Sequence, residues 1–483
     1  MMGIVFYPRG GAAQVVRYLT RALRERGHDV TVVSGSLKGA AAGADARSFY
    51  SGVPLLEVDY TEAVKAFDAG RDPMLSELAV PMPPSYEDKP GVPDRVYHKV
   101  GPQQLRALVT SWRGVLSHAS ERSSFQVLHL HHLNHLHSAA LGQPSLRDTI
   151  KIAHLHGTEL KMLEEMGRDN AAGPWAALWK EEMNRAVVGM DHFVAISPDN
   201  QRRAVELLGL PEKSVSFIPN GVDTSIFRPN RVSAEARMRL LDDLLVRSPE
   251  GWDESGVVGS VRYERADLHT LGEQNREPKA LLLFAGRFLA FKRLPLLLEA
   301  VAKLVAAYRG QGCEDPPFNL LVCGGVPGEW EGEHPHTTAQ RLGLKNVFFT
   351  GWLDHVQLAK VIALADVFVA PSHHEPFGLV YLEAMATGIP VIATRSGGPV
   401  HFVTDEGPLA NGWLCELDDV DSLAAALMDA MTNSLERKRR GRNALKLIKA
   451  KYGWPVIAGR FEELYMQLIS GPAGQLRQGD LQR

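Results

Sequence analysis

The sequence predicts an α/β fold built from two similar halves, each a parallel sheet flanked by helices. Three observations carry this expectation. Short apolar runs alternate with stretches of helical period along most of the chain. The first unit opens with a strand, a glycine loop, a helix and a second strand. The rhythm breaks over a polar stretch from Asn230 to Pro278, then starts again at ALLLFAGR.

In the first half, GIVFY at 3–7 reads as a buried strand and PRGGAAQ as a tight loop. The helix that follows carries Val15, Val16, Leu19 and Leu23 on one face and Arg17, Arg21, Arg24 and Arg26 elsewhere, and it stops at Gly27. HDVTVVS is the next strand. Gly10-Gly11-Ala12-Ala13 lacks the G-x-G-x-x-G spacing of a dinucleotide site, so the loop is either a tight turn or a point where backbone approaches a phosphate. Residues 70–100 are rich in proline and polar groups and predict an irregular loop, long enough for a lid or an acceptor-site wall. A helix from Gln103 to His118 keeps Trp112 inward. Strands follow at FQVLHL, KIAHLH, DHFVAIS and SVSFIP, with a helix at Trp175 to Val188 among them. Ile196-Ser197-Pro198 reads as a strand end and helix start, and Asn220-Gly221 as a turn using positive φ.

The second half predicts strands at ALLLFAGR, FNLLVCGG, NVFFTGW, ADVFVAP and PVIAT, with a helix from Leu294 to Tyr308. A closing helix begins at Trp454. The expected division is a first domain over 1–228, a connection enlarged by an insertion over 229–278, a second domain over 279–453, and a flexible tail over 471–483. Ligands in open parallel sheets bind beyond the carboxyl ends of the strands. With two such halves, those ends can enclose one interdomain cleft.

Composition narrows the function. Length 483, 45% hydrophobic and 23% charged residues fit a globular protein of two or three domains. A net charge of −3 offers no basic excess for nucleic acid. Cys313, Cys323 and Cys415 have no metal-ligand spacing and fit reduced, mostly buried thiols of a cytoplasmic protein. The N-terminal apolar run, ended by Pro8 and Arg9, is too short for a signal peptide, and no run of about 18 apolar residues predicts a spanning helix. Peripheral membrane contact stays open.

The stretch from Ala370 to Thr394, APSHHEPFGLVYLEAMATGIPVIAT, carries the strongest functional signal. A strand ends at Pro371, a loop holds Glu375, and Pro376 suits the first turn of a helix running to about Thr387 and stopping at Gly388. Glu383 lies two turns into that helix. The N–H groups of Phe377, Gly378 and Leu379 would face the same space, an anion or hydroxyl site. Gly286-Arg287 and Lys292 bring two cations to another strand's carboxyl edge, where a diphosphate would need them. Alone, they equally describe a solvated basic loop. His156 at a strand tip could reach a ligand hydroxyl, although a single strand-end histidine is more often structural. The run from Leu128 to His137 holds His129, His131, His132, His135 and His137. It is expected to scatter them over a strand, a loop and a helix start, one or two edging the cleft, with no metal bound.

Together these residues resemble the large retaining family 4 of glycosyltransferases, with the GT-B fold: two Rossmann-like domains facing across a deep interdomain cleft. The GGAAQ loop, HGTE, ISP, IPNGVD, the GR with its following lysine, and EPFGLVYLEAMATGIPVIAT with its E-x(7)-E pair occur in the family's order. The resemblance implies transfer of a sugar from a nucleotide-diphosphate donor, UDP- or GDP-linked, to an acceptor that is a small metabolite, a saccharide or a lipid-linked group. It implies no other cofactor and no catalytic metal. Arg287 and Lys292 would bind the diphosphate, and Glu383 the ribose hydroxyls. Glu375, with the amides of Phe377, Gly378 and Leu379, would contact the transferred sugar. Gly11 would approach the phosphates and His156 the sugar near its 6-hydroxyl. The closing helix, 454–470, would pack back on the first domain. His401 stands where the family often has a glutamate, which leaves the base preference open. A GT-B epimerase or phosphorylase, or an inactive carbohydrate-binding homologue, is the alternative.

Overall fold

The computed structural model describes residues 1–8, 10–39, 44–74, 77–86, 92–168, 173–230, 232–271 and 279–471. The expected tail from 472 onward, and parts of the 70–100 and 230–278 stretches, lie outside them. The chain divides into two compact units, Met1–Gly221 with Trp454–Arg483, and Val222–Gly453.

The first unit holds seven strands: β1 (Met2–Ile4), β2 (Val32–Ser36), β3 (Leu55–Asp59), β4 (Val127–His131), β5 (Ile150–Leu155), β6 (His192–Ala195) and β7 (Val215–Phe217). They pair in parallel in the order β3-β2-β1-β4-β5-β6-β7. The second unit holds β8 (Ala280–Gly286), β9 (Phe318–Gly324), β10 (Val347–Gly351), β11 (Val367–Ala370), β12 (Val391–Thr394) and β13 (Gly412–Cys415). Their order is β10-β9-β8-β11-β12-β13, again all parallel. Both sheets are doubly wound, so helices cover both faces and the central strands are continuous apolar runs rather than alternating ones. Leu281 to Phe284 of β8 are fully buried.

The helix Leu294–Gly310 shows how the covering layer is made. Leu294, Leu297, Leu298, Val301, Leu304 and Val305 are buried at helical spacing on one face, each side chain stabilising by roughly 1.5–3 kcal/mol. Elsewhere Pro102–Arg122 keeps Trp112 fully buried, as expected. Ser197 caps the helix Pro198–Leu208 by accepting from the Asn200 N–H at 3.1 Å.

Four expectations need correction. The helix Gly10–Glu25 takes in both glycines of the expected loop, so Gly11 sits in a helical first turn. Asn220-Gly221 does not use positive φ. Glycine is needed there because a Cβ at Gly221 would lie 2.7 Å from the Trp454 ring. The described parts of 70–100 are packed rather than lid-like: Met82, Tyr86 and Tyr97 are buried, and the Tyr86 hydroxyl donates to the Leu133 carbonyl at 2.8 Å. The described parts of 230–278 belong to the second unit. They form a helix, Ala234–Asp242, and bury Trp252 against Phe288 with ring centroids 5.3 Å apart. The closing helix spans Trp454–Ser470 within the first unit. There Trp454 stacks on Tyr18, and Glu462 meets Arg26 and, at 2.9 Å, His28.

Candidate functional site

In the second unit the strand order reverses between β8 and β11, which are hydrogen-bonded neighbours. The carboxyl ends flanking such a switch point are where open α/β sheets bind ligands. Arg287 directly follows β8, and a short 3-10 turn, Ala290–Lys292, returns Lys292 toward the same edge. The loop after β11 holds Glu375. Lys292 Nζ donates to Glu375 Oε2 at 2.5 Å, with only 14% and 11% of the two side chains exposed. Arg287 pairs with Glu329 Oε2 at 3.0 Å. Lys292 and Glu375 are thus brought together, Arg287 lies at the end of the same strand, and each cation already has a carboxylate partner.

Backbone ties hold this edge. The His373 N–H donates to the Phe291 carbonyl at 2.6 Å, joining the Glu375 loop to the Lys292 turn. The Gly398 N–H donates to the Glu375 carbonyl at 2.7 Å, and the Tyr381 hydroxyl donates to the Ala370 carbonyl. Arg293, His374 and Asp418 adopt positive φ of 53°, 52° and 56°. Such strain in non-glycine residues persists where the surroundings over-determine it. Here Arg293 Nε donates to Asp418 Oδ1 at 2.6 Å, and His373 Nδ1 lies 3.1 Å from Asp418 Oδ2. Sequence reasoning missed Glu329, Asp418 and Trp252, whose roles come from contacts distant along the chain.

The helix after the loop begins at Leu379, not at Pro376. Gly378 is its N-cap with φ +94°, a backbone that cannot continue a helix, and a Cβ there would sit 2.5 Å from Tyr381 Cδ2. Pro376 and the buried Phe377 therefore stay in the loop. The N–H groups of Gly378 and Leu379 are helix-start donors with no intrahelical acceptor. Glu383 falls on the helix with 7% exposure. Burial pushes its carboxyl up to about 8. His355 Nε2 stands 3.6 Å from Glu383 Oε1.

In the first unit the order reverses between β1 and β4. Gly11 is exposed just beyond β1. His156 follows β5 and is buried, its Nε2 2.9 Å from His131 Nδ1 and its N–H donating to Glu159 Oε1 at 2.6 Å. Burial alone would raise the Glu159 carboxyl, but His132 at 3.1 Å and backbone donors outweigh it and hold it below the usual range. The histidines are not all scattered, contrary to expectation. His129 and His131 are two apart on β4, and the parallel register sets His131 beside His154 of β5. Period-2 alternation then puts His129, His131, His154 and His156 on one face. Burial drives His131, His154 and His156 well below the ordinary imidazole range and His129 to about 3, so all four rings are neutral. The repeated H-x-H in LHLHH and AHLHG was the available signal.

Residues 9–226 match the model "Glycosyltransferase Family 4", and 271–447 match "Glycosyl transferases group 1". A D-inositol 3-phosphate glycosyltransferase of Catenulispora acidiphila is 30% identical over 301 residues, 61% of this chain and 60% of the relative. The lipopolysaccharide core biosynthesis glycosyltransferase LpsE of Rhizobium meliloti is 32% identical over 222 residues, 45% of this chain and 56% of the relative. The chain thus spans about 60% or less of the length of these curated relatives. Among solved structures, sucrose-phosphate synthase from Thermosynechococcus elongatus superposes with a TM-score of 0.63 at 19% identity, over 97% of this chain and 99% of that one. Anabaena HepE, solved with UDP-glucose, gives 0.60 at 16% identity over the same shares. These likenesses show the fold.

Proposed function

We propose that this chain, which belongs to the group 1 glycosyltransferases and has the GT-B fold, transfers a sugar from a nucleoside-diphosphate donor to an acceptor hydroxyl, retaining anomeric configuration and using no catalytic metal. The observation that carries the reading is the buried Lys292–Glu375 pair at the carboxyl ends of β8 and β11, with Arg287 directly following β8. A guanidinium fork and an ammonium suit a diphosphate, and the buried pair Lys292–Glu375 holds the ammonium in place before a donor arrives. HepE bound to UDP-glucose supports a nucleotide-sugar donor; UDP- and GDP-sugars are the favoured class.

In this reading Arg287 and Lys292 take the diphosphate, and Glu383 receives the ribose hydroxyls. Glu375 and the N–H groups of Phe377, Gly378 and Leu379 meet the transferred sugar. Gly11 and His156 of the first unit are assigned to the phosphates and the sugar on the family resemblance. The bond from the anomeric carbon to the β-phosphate oxygen breaks, and that oxygen keeps the electron pair. The acceptor oxygen bonds to the same face of an oxocarbenium-like carbon, and its proton passes to the departing phosphate. No side chain acts as general base. Charge on the leaving group is the largest quantity to stabilise, and preorganised cations stabilise it most. The acceptor is a small metabolite, a saccharide or a lipid-linked group. Cytoplasmic residence is part of the proposal; among the described residues no helix is long and apolar enough to cross a membrane.

The test is thermal unfolding against UDP, GDP, ADP and dTDP. A true ligand at 100 times its Kd stabilises by about 2.7 kcal/mol. One nucleotide standing out supports the reading, and no shift with any of them removes it.

A further inference from the structure

On the face shared by β4 and β5 in the first unit, His156 is the one residue assigned to the donor above, and His129, His131 and His154 have no part in it. One ring nitrogen from each of His129, His131 and His154 lies within 4.8 Å of the other two. All three residues are at most 1% exposed. His131 Nε2 and His154 Nε2 are buried without a hydrogen-bond partner, a state that buried polar atoms rarely keep. His129 and His131 each engage their Nδ1 away from the cluster, while His154 Nδ1 faces His129 Nε2. His129 Nδ1 lies 2.6 Å from the Tyr465 hydroxyl, and His131 Nδ1 lies 2.9 Å from His156 Nε2. A ligating histidine characteristically has one nitrogen on the ion and the other fixed by an outer partner.

We propose that His129, His131 and His154 bind one divalent transition-metal ion of the zinc class. His129 Nε2 and His154 Nδ1 are 3.1 Å apart. Two nitrogens held at 2.0–2.1 Å by one tetrahedral ion are separated by about 3.3 Å. Three imidazole nitrogens suit zinc, copper or nickel rather than magnesium or calcium. The buried carboxylate of Glu159, bonded to His132 and to the His156 N–H, supplies a negative charge beside the cluster. The ion is a structural staple. It fastens β4 to β5 and, through the Tyr465 hydroxyl on His129, to the closing helix. It borders the proposed donor site through His156, the partner of His131, but its test does not depend on whether sugar transfer is found. The competing description is a ladder of neutral rings stacked for packing alone, with centroids such as 4.7 Å between His129 and His131.

The experiment uses the full chain without a histidine tag, expressed with zinc supplied and then dialysed. Elemental analysis is expected to find one zinc per chain. Replacement by Co²⁺ is expected to give the visible bands of a tetrahedral nitrogen-ligated ion. His129→Gln with His154→Gln should lose both signals, while His118→Gln, an exposed position, keeps them. If the double variant does not fold, Tyr465→Phe serves instead. It leaves the ligands in place but removes the outer hydroxyl, and should weaken metal affinity by about 10–100-fold. A wild-type chain without zinc or cobalt bands leaves the packing ladder only and overturns the proposal. So does a folded double variant that still binds, or a Tyr465→Phe chain whose affinity is unchanged.

Discussion

Glu383→Gln tests the ribose assignment through proton linkage. The wild-type carboxyl is held up to about 8 by burial, against an ordinary 4.5. The folded state therefore keeps a proton that the unfolded chain releases between these values, and stability falls as pH rises through that window. At about 1.36 kcal/mol per pKa unit, the ceiling is roughly 5 kcal/mol lost by pH 8 and almost none at pH 4.5. The glutamine variant carries no such proton. In urea titrations it should match the wild type near pH 5 and exceed it progressively toward pH 8. Nucleotide binding supplies the functional half. Near pH 8 about half of the Glu383 carboxyls are protonated. Ribose hydroxyls donating to the ionised form should expel up to about half a proton per nucleotide bound. Calorimetry in two buffers of different ionisation enthalpy reads that release directly. The variant should show weaker binding and no release. A stability gap that does not change with pH would refute the burial argument, and unchanged nucleotide affinity would refute the ribose role.

Lys292→Ala should lower turnover by ~10²–10³ while the chain stays folded, and steady-state assays with the favoured donor check this. It also leaves Glu375 buried without its partner, at about 3–5 kcal/mol; adding Glu375→Gln should recover stability in denaturant melts but not turnover. Gly378→Ala forces a side chain into φ +94° and against Tyr381, which should cost about 1–3 kcal/mol and lower Tm. Gly221→Val places bulk where the Trp454 ring lies 2.7 Å from a bare Cβ, so limited proteolysis should cut the closing helix faster.

The parts of the fold visible in the sequence are those buried on both faces. ALLLFAGR, FNLLVCGG and KIAHLH became β8, β9 and β5 because a central parallel strand needs an unbroken apolar run. Two strands went unread, β3 and β13, and both lie at sheet edges. LLEVD is only partly buried and GWLC is four residues long, so neither carries a strong pattern. In the candidate site, Glu375, Lys292 and Arg287 were readable because each follows a recognisable strand end. Glu329 and Asp418 were not, since their partners Arg287 and Arg293 lie far away in sequence. The histidine face needed the register of β4 against β5, which no local spacing encodes.

In the proposed function, the edge formed by β8 and β11 holds a nucleoside diphosphate through Arg287 and Lys292. Calorimetric titration of the best-stabilising diphosphate, and of its bare nucleoside, into wild type and Lys292→Gln tests it most directly. The diphosphate should lose tenfold or more in affinity, about 1.4 kcal/mol, while the nucleoside binds both proteins alike. Equal diphosphate affinity for the two proteins would contradict it.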